Sequence, residues 1–199
     1  MKKIITLVLT LLVLVGCSTG TPTDKTDKTT EKIDVSTLNI LDFNNEQADM
    51  SGYELLTDTK HVYKQITMED SIRLFTEKGS GVVYYGYLGC PFCQQAVPVL
   101  NNAARQMGVD IYYVDVMSPE GTSDEITAEL IDHIKDYLVE EEGEPVFYVP
   151  QVFVIKDGEI VGDHLSLVDS YDISEGDDMN ESQRTELRNI YLEMIGKLR

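Results

Sequence analysis

The tetrapeptide Cys90-Pro91-Phe92-Cys93 constrains this chain most, because of what flanks it. Before it, Gly81-Val82-Val83-Tyr84-Tyr85-Gly86-Tyr87 is β-branched and aromatic and reads as a buried strand. After it, Gln94 to Met107 is rich in helix formers, with Val97, Leu100, Ala104 and Met107 at helical spacing. The two thiols are therefore expected where a strand gives way to a helix. Unpaired N–H groups and the positive dipole end of that helix favour a thiolate on Cys90. Two sulfurs three residues apart can also close a disulfide across the first turn. The competing reading is half of a zinc site. Zinc takes four ligands, and the chain offers neither a second Cys pair nor a close His, so redox chemistry is the better fit.

The first residues bear on the compartment. Lys2 and Lys3 form a basic start, and Ile4 to Val15 an apolar run too short for a comfortable membrane span. Leu14-Val15-Gly16-Cys17 resembles the lipobox of bacterial lipoproteins, which implies cleavage before Cys17 and a lipid on its sulfur. An ordinary secretory signal with an incidental Cys17 is the alternative. On the lipoprotein reading residues 1–16 are a signal peptide, and Cys90 and Cys93 remain as the free pair. An exported protein meets an oxidising space. A bridge across so short a spacing adds little loop-closure stabilisation, and a domain of this size does not depend on it. Chemistry explains the pair better than reinforcement.

Residues 17–34 are Thr, Asp, Lys, Ser and Gly with few apolar groups, and read as a disordered tether. Residues 35–60 form an N-terminal extension in which Leu38, Ile40, Leu41 and Phe43 suggest an extra strand or a lid. From His61 the pattern sharpens into one folded domain, 61–199. Val62 to Ile66 reads as a strand. Thr67 with Asp70 makes a capping box for a helix reaching about Lys78 and closed by Gly79. Val109 to Val116 is another strand, with a turn at Ser118-Pro119-Glu120-Gly121. Thr122 to about Glu142 carries Ile126, Leu130, Ile131, Ile134 and Leu138 at helical intervals. Gln151 to Ile155 and Glu159 to Gly162 flank the hairpin turn Asp157-Gly158. Met179 to Leu198 is a last amphipathic helix. The order β-α-β-α-β-α-β-β-α gives an α/β domain with a mixed sheet flanked by helices.

A strand, then Cys-X-X-Cys opening a helix, then Val149-Pro150 before a β-hairpin and a terminal helix, resembles the thioredoxin family over about His61 to Arg199. The resemblance implies a thioredoxin-like fold with an extra helix inserted before a cis-proline at Pro150, lying against the active pair. Pro150 on its own is equally a proline that starts a strand. The signal and the run Tyr87-Leu88-Gly89-Cys90-Pro91-Phe92-Cys93 are also similar to exported accessory proteins of bacteriocin transport. One departure matters. Where thioredoxin places a buried acid, six residues before its first active cysteine, this chain has Tyr84. Water or Asp115 could stand in for the acid, and nothing in the sequence selects between them. The Pro-Phe dipeptide differs from thioredoxin's Gly-Pro, and a Pro-aromatic pair occurs in glutaredoxins, so it does not set redox direction. The 122–142 helix either shapes a partner surface or extends the core.

These readings give a mechanism. Cys90 attacks a partner disulfide and Cys93 resolves the mixed disulfide. Val149 offers backbone groups to an extended substrate segment, Pro150 holds its loop near the sulfurs, and Phe92 supplies apolar contact or simply packs. The expected partners are protein or peptide thiols and disulfides, with a membrane electron-transfer protein to recycle the pair. No metal or organic cofactor is implied. The net charge of −19 becomes more negative once Lys2 and Lys3 are removed, which argues against nucleic acid and leaves lipid on Cys17 as the anchor. Acidic runs such as Glu140-Glu141-Glu142 read as solvated faces, and His61, His133 and His164 receive no role. The functional expectation is a membrane-anchored extracytoplasmic thiol–disulfide oxidoreductase. The alternative is a thioredoxin-fold scaffold lipoprotein for peptide export whose disulfide is dispensable.

Overall fold

The structure, a computed structural model, describes residues 31–43, 46–120 and 122–199. Cys17, the signal peptide and most of the tether lie outside the described residues. Five strands form one mixed sheet: β1 (Tyr63–Gln65), β2 (Gly81–Gly86), β3 (Ile111–Asp115), β6 (Gln151–Lys156) and β7 (Glu159–Leu165), in the order β1-β3-β2-β6-β7. β1, β3 and β2 run parallel, β6 runs antiparallel to β2, and β7 runs antiparallel to β6.

Strand alternation sorts the side chains into two cores. Val82, Tyr84, Ile111, Tyr113, Val152 and Val154 face the first core, under α2 (Pro91–Met107) and α4 (Glu181–Gly196). Val83, Tyr85, Tyr112, Val114, Phe153 and Ile155 face the second, under α1 (Met68–Thr76) and α3 (Asp124–Ile134). The central strands are therefore buried on both faces. That is why they read as continuous apolar runs rather than alternating ones. The mixed sheet flanked by helices is the architecture expected, and α3 is the helix inserted before Pro150.

Thr67 forms the expected capping box, its hydroxyl accepting the Asp70 N–H at 3.0 Å. The far end of α1 differs in detail. Lys78, not Gly79, takes the left-handed conformation (φ 57°), and the Gly79 N–H reaches back to the Leu74 carbonyl at 2.8 Å. A Cβ at Gly79 would lie 2.7 Å from the Leu74 side chain and 2.8 Å from that of Leu41, so those side chains would have to shift.

Two expectations are corrected. The helix read over Thr122–Glu142 stops at Ile134. After a 3-10 turn at Lys135–Tyr137 the chain forms a small hairpin, β4 (Val139–Glu141) with β5 (Glu144–Val146). Glu142 and Gly143 both adopt positive φ (54° and 88°), which turns the hairpin and ends any helix. Leu138 still packs against the second core, so a helical spacing was satisfied from a non-helical residue. The described residues of Val35–Thr59 also form no strand of the sheet. They carry a 3-10 turn at Val35–Thr37 and one isolated bridge, Gln47 to Lys64. Ala48, Met50 and Tyr53 are buried in the first core, and so is Ile33 just before the extension. The extension wraps the domain and plugs into it.

Candidate thiol site

Local chemistry fixes where α2 begins. Pro91 suits the first helical position, where its missing N–H costs nothing. Cys90 is the N-cap, with extended backbone (φ −85°, ψ 116°), and its sulfur accepts the Cys93 N–H at 3.2 Å. A thiol here does what Ser or Asp usually does. Gly108, at φ 74°, closes the other end.

Both thiols are free, and both are buried. Their acidities diverge. Hydrogen bonding to the Cys93 side chain, aided by the backbone N–H groups of Cys93 and Phe92, brings the Cys90 thiol down to about 7 against the cost of burial. Cys93 moves the opposite way, held up by its hydrogen bond to the Cys90 sulfur and then by burial. One proton is shared between two sulfurs, and Cys90 is the one that gives it up.

Val149-Pro150 is a cis peptide bond at the start of β6, and the Val149 carbonyl accepts from the Cys90 thiol at 3.9 Å. The sequence-selected Cys90, Cys93, Val149 and Pro150 thus meet. Cys90 and Val149 are 59 positions apart in the chain, and antiparallel pairing of β6 with β2 (Tyr85 opposite Gln151) brings them together. Phe92 is half-buried against the first core. Asp115, the last residue of β3, accepts the Met117 N–H at 2.9 Å through its carboxylate.

Several contributors escaped the sequence reading. Gln94 accepts the Glu54 N–H at 3.0 Å and donates to the carbonyls of Gly52 (3.0 Å) and Leu88 (2.9 Å), tying the extension to the turn before Cys90. Gln95 donates to Asp178 (2.6 Å) and accepts the Met179 N–H (3.0 Å). No residue pattern marks a helix-surface glutamine as a clamp. Leu88, Met117 and Tyr148 are exposed apolar side chains in loops at the same end of the sheet as Cys90. Among the described residues no group of three or more His, Cys, Asp or Glu side chains could hold a metal ion.

Residues 82–161, running from β2 into β7 and containing both thiols and Pro150, match the family model described as Glutaredoxin. That match and the mixed sheet give this chain a thioredoxin-like fold, and support its place among the thioredoxin-like thiol oxidoreductases.

Proposed function

We propose that this protein is an extracytoplasmic, lipid-anchored thiol–disulfide oxidoreductase that exchanges disulfides with secreted or cell-surface proteins. The observation that carries the chemistry is the Cys90 sulfur at the α2 N-cap, accepting the Cys93 N–H and facing the Val149 carbonyl. The anchor rests on the sequence Leu14-Val15-Gly16-Cys17. Among the described residues no helix is long and apolar enough to cross a membrane.

With its acidity near 7, about half of Cys90 is thiolate at neutral pH, before any partner arrives. The thiolate attacks one sulfur of a partner disulfide, and the partner's other sulfur leaves and takes a proton from solvent. Cys93 then loses its proton and attacks the Cys90 sulfur. The Cys90–Cys93 bond forms, the partner is released as a thiol, and two electrons have passed from the pair to the partner. The reverse sequence oxidises a partner. Exposed Leu88 and Tyr148 give an extended polypeptide apolar footing beside the Val149 backbone.

The test is equilibration of the soluble domain in glutathione and dithiothreitol buffers, with a Cys93→Ala variant run alongside. The expected results are a reversible Cys90–Cys93 disulfide in the native protein and an accumulating mixed disulfide on Cys90 in the variant. Absence of any reversible disulfide would overturn the reading and leave a binding scaffold. A potential near that of thioredoxin, about −270 mV, assigns a reductase, and one near about −120 mV an oxidase.

A further inference from the structure

Behind Cys93 the first core is crowded with tyrosines. Tyr53 comes from the extension, Tyr63 from β1, Tyr84 from β2 and Tyr113 from β3, and all four are buried. Their rings pack against one another: Tyr63 on Tyr84 and Tyr84 on Tyr113 at 5.8 Å each, Tyr53 on Tyr113 at 6.1 Å. Three of the hydroxyls have partners. Tyr53 and Tyr113 share a hydrogen bond of 3.1 Å, and Tyr63 donates to the Val97 carbonyl at 2.8 Å. The Tyr84 hydroxyl is fully buried and has no hydrogen-bond partner among the described residues.

Packing alone does not account for that oxygen. Phenylalanine would fill the same space without stranding a polar group, and a buried orphan hydroxyl is a standing cost. Its position indicates a use. A Cβ at Gly86 would lie 2.5 Å from the Tyr84 hydroxyl, so the ring lies across the bare end of β2, where the chain turns toward Cys90. From there it lies close enough to the Cys93 sulfur to favour that thiolate over the thiol. Cys93, inaccessible to solvent, needs such help, because burial and its neighbour both hold its proton on.

We propose that Tyr84 is a catalytic residue of the resolving half-reaction, donating a hydrogen bond to the Cys93 sulfur as it ionises. This rests on the thiol–disulfide exchange reading above. In the mixed disulfide, Cys93 loses its proton, which solvent takes up as the partner sulfur departs, and its thiolate attacks the Cys90 sulfur. The Cys90–Cys93 bond forms, and the bond from Cys90 to the partner sulfur breaks. The partner sulfur leaves with the electron pair and is protonated by solvent. Among the described residues the Tyr84 hydroxyl has no hydrogen-bond partner in the dithiol, and ionisation of Cys93 supplies a stronger acceptor beside it. Such an interaction lowers a barrier instead of stabilising an end state.

The experiment is stopped-flow reaction of the reduced protein with an aromatic disulfide, 5,5′-dithiobis(2-nitrobenzoate). The first thionitrobenzoate released reports attack by Cys90, and the second reports resolution by Cys93. In Tyr84→Phe the second release is expected to slow relative to the first by about ten- to a hundredfold. Its pH profile should shift to higher pH, with a melting temperature equal to or above that of the native protein. A second release as fast as in the native protein would overturn the proposal. So would equal slowing of both releases with a lowered melting temperature, which marks a structural role. If the native protein itself gives no second release, the exchange reading fails, and the two failures are thereby told apart.

Discussion

The Cys93 N–H serves two purposes at once. It is an orphan donor of the first turn of α2, and it ends on the Cys90 sulfur at 3.2 Å, so the same bond that caps the helix stabilises a thiolate. Alkylation of the reduced protein by iodoacetamide should therefore show a Cys90 midpoint near pH 7, against about 8.5 for an unperturbed thiol. The lowered acidity also has a signature in stability. Between those two values the unfolded chain binds one more proton at Cys90 than the native state, so stability rises with pH. Cys90 contributes fully above the unfolded value and loses its contribution as pH falls through about 7. Cys93, raised in the native state, opposes this only above the ordinary thiol range. Denaturation of the reduced protein at pH 6 and pH 8 should show a gain in stability that is smaller in Cys90→Ser by about 1 kcal/mol. Equal gains in the two proteins would contradict it.

At the scale of elements, α2 is more than a carrier of thiols. Gln94 and Gln95 leave its first turns in opposite directions, one to the extension and the turn at Leu88, the other to Asp178 and Met179 just before α4. The thiols are thus held by a helix whose first turns are tied to segments distant in sequence. Gln94→Ala removes three hydrogen bonds at a partly buried site and should lower stability by about 1–3 kcal/mol. Hydrogen exchange should locate the effect, with faster exchange in residues 50–56 and 87–90 and unchanged protection in β2. Uniform loss of protection across the sheet would show that the glutamine holds the whole fold instead. The same connection gives the extension a purpose, since it delivers Tyr53 to the hydroxyl cluster behind Cys93.

At the scale of the whole molecule, the loops at the Cys90 end, residues 86–90, 116–123, 138–150 and 166–180, contain no Lys or Arg, while they carry Glu120, Glu140, Glu141, Glu142, Glu144, Asp177 and Asp178. Lys78, Arg105, Lys156, Lys197 and Arg199 belong to the opposite end, at the far ends of α1, α2 and α4 and at the β6–β7 turn, where they stand among Glu77, Asp110, Asp157 and Glu159. A field of this sign repels an incoming anion and draws in a cation. The dication cystamine should therefore oxidise the pair faster than glutathione disulfide, a dianion of similar leaving-group chemistry. The ratio should shrink as salt is raised toward about 1 M, where the screening length falls to about 3 Å. A ratio that does not depend on salt would remove electrostatics as its cause. Clients bearing basic segments are the ones this pole favours.

The sequence by itself determined the local parts: a capped helix at Thr67, a strand that hands two thiols to a helix N-terminus, and the Asp157-Gly158 hairpin turn. Each is set by dihedral preference, capping chemistry and apolar period within a few residues, which a linear reading can see. It stumbled where period and tertiary demand parted. Leu138 kept a helical interval while sitting at the edge of a hairpin, and Val35–Thr59 had apolar residues without a regular element because they fill gaps in a core built by others. The cis Val149-Pro150 bond was expected from resemblance, but that its carbonyl faces Cys90 depends on the register of β6 against β2. Tyr84 was legible as a departure at its position, while its unpartnered hydroxyl was not. Whether a buried polar atom is satisfied depends on which strands and loops close around it, and that is decided only when residues distant in sequence pack together.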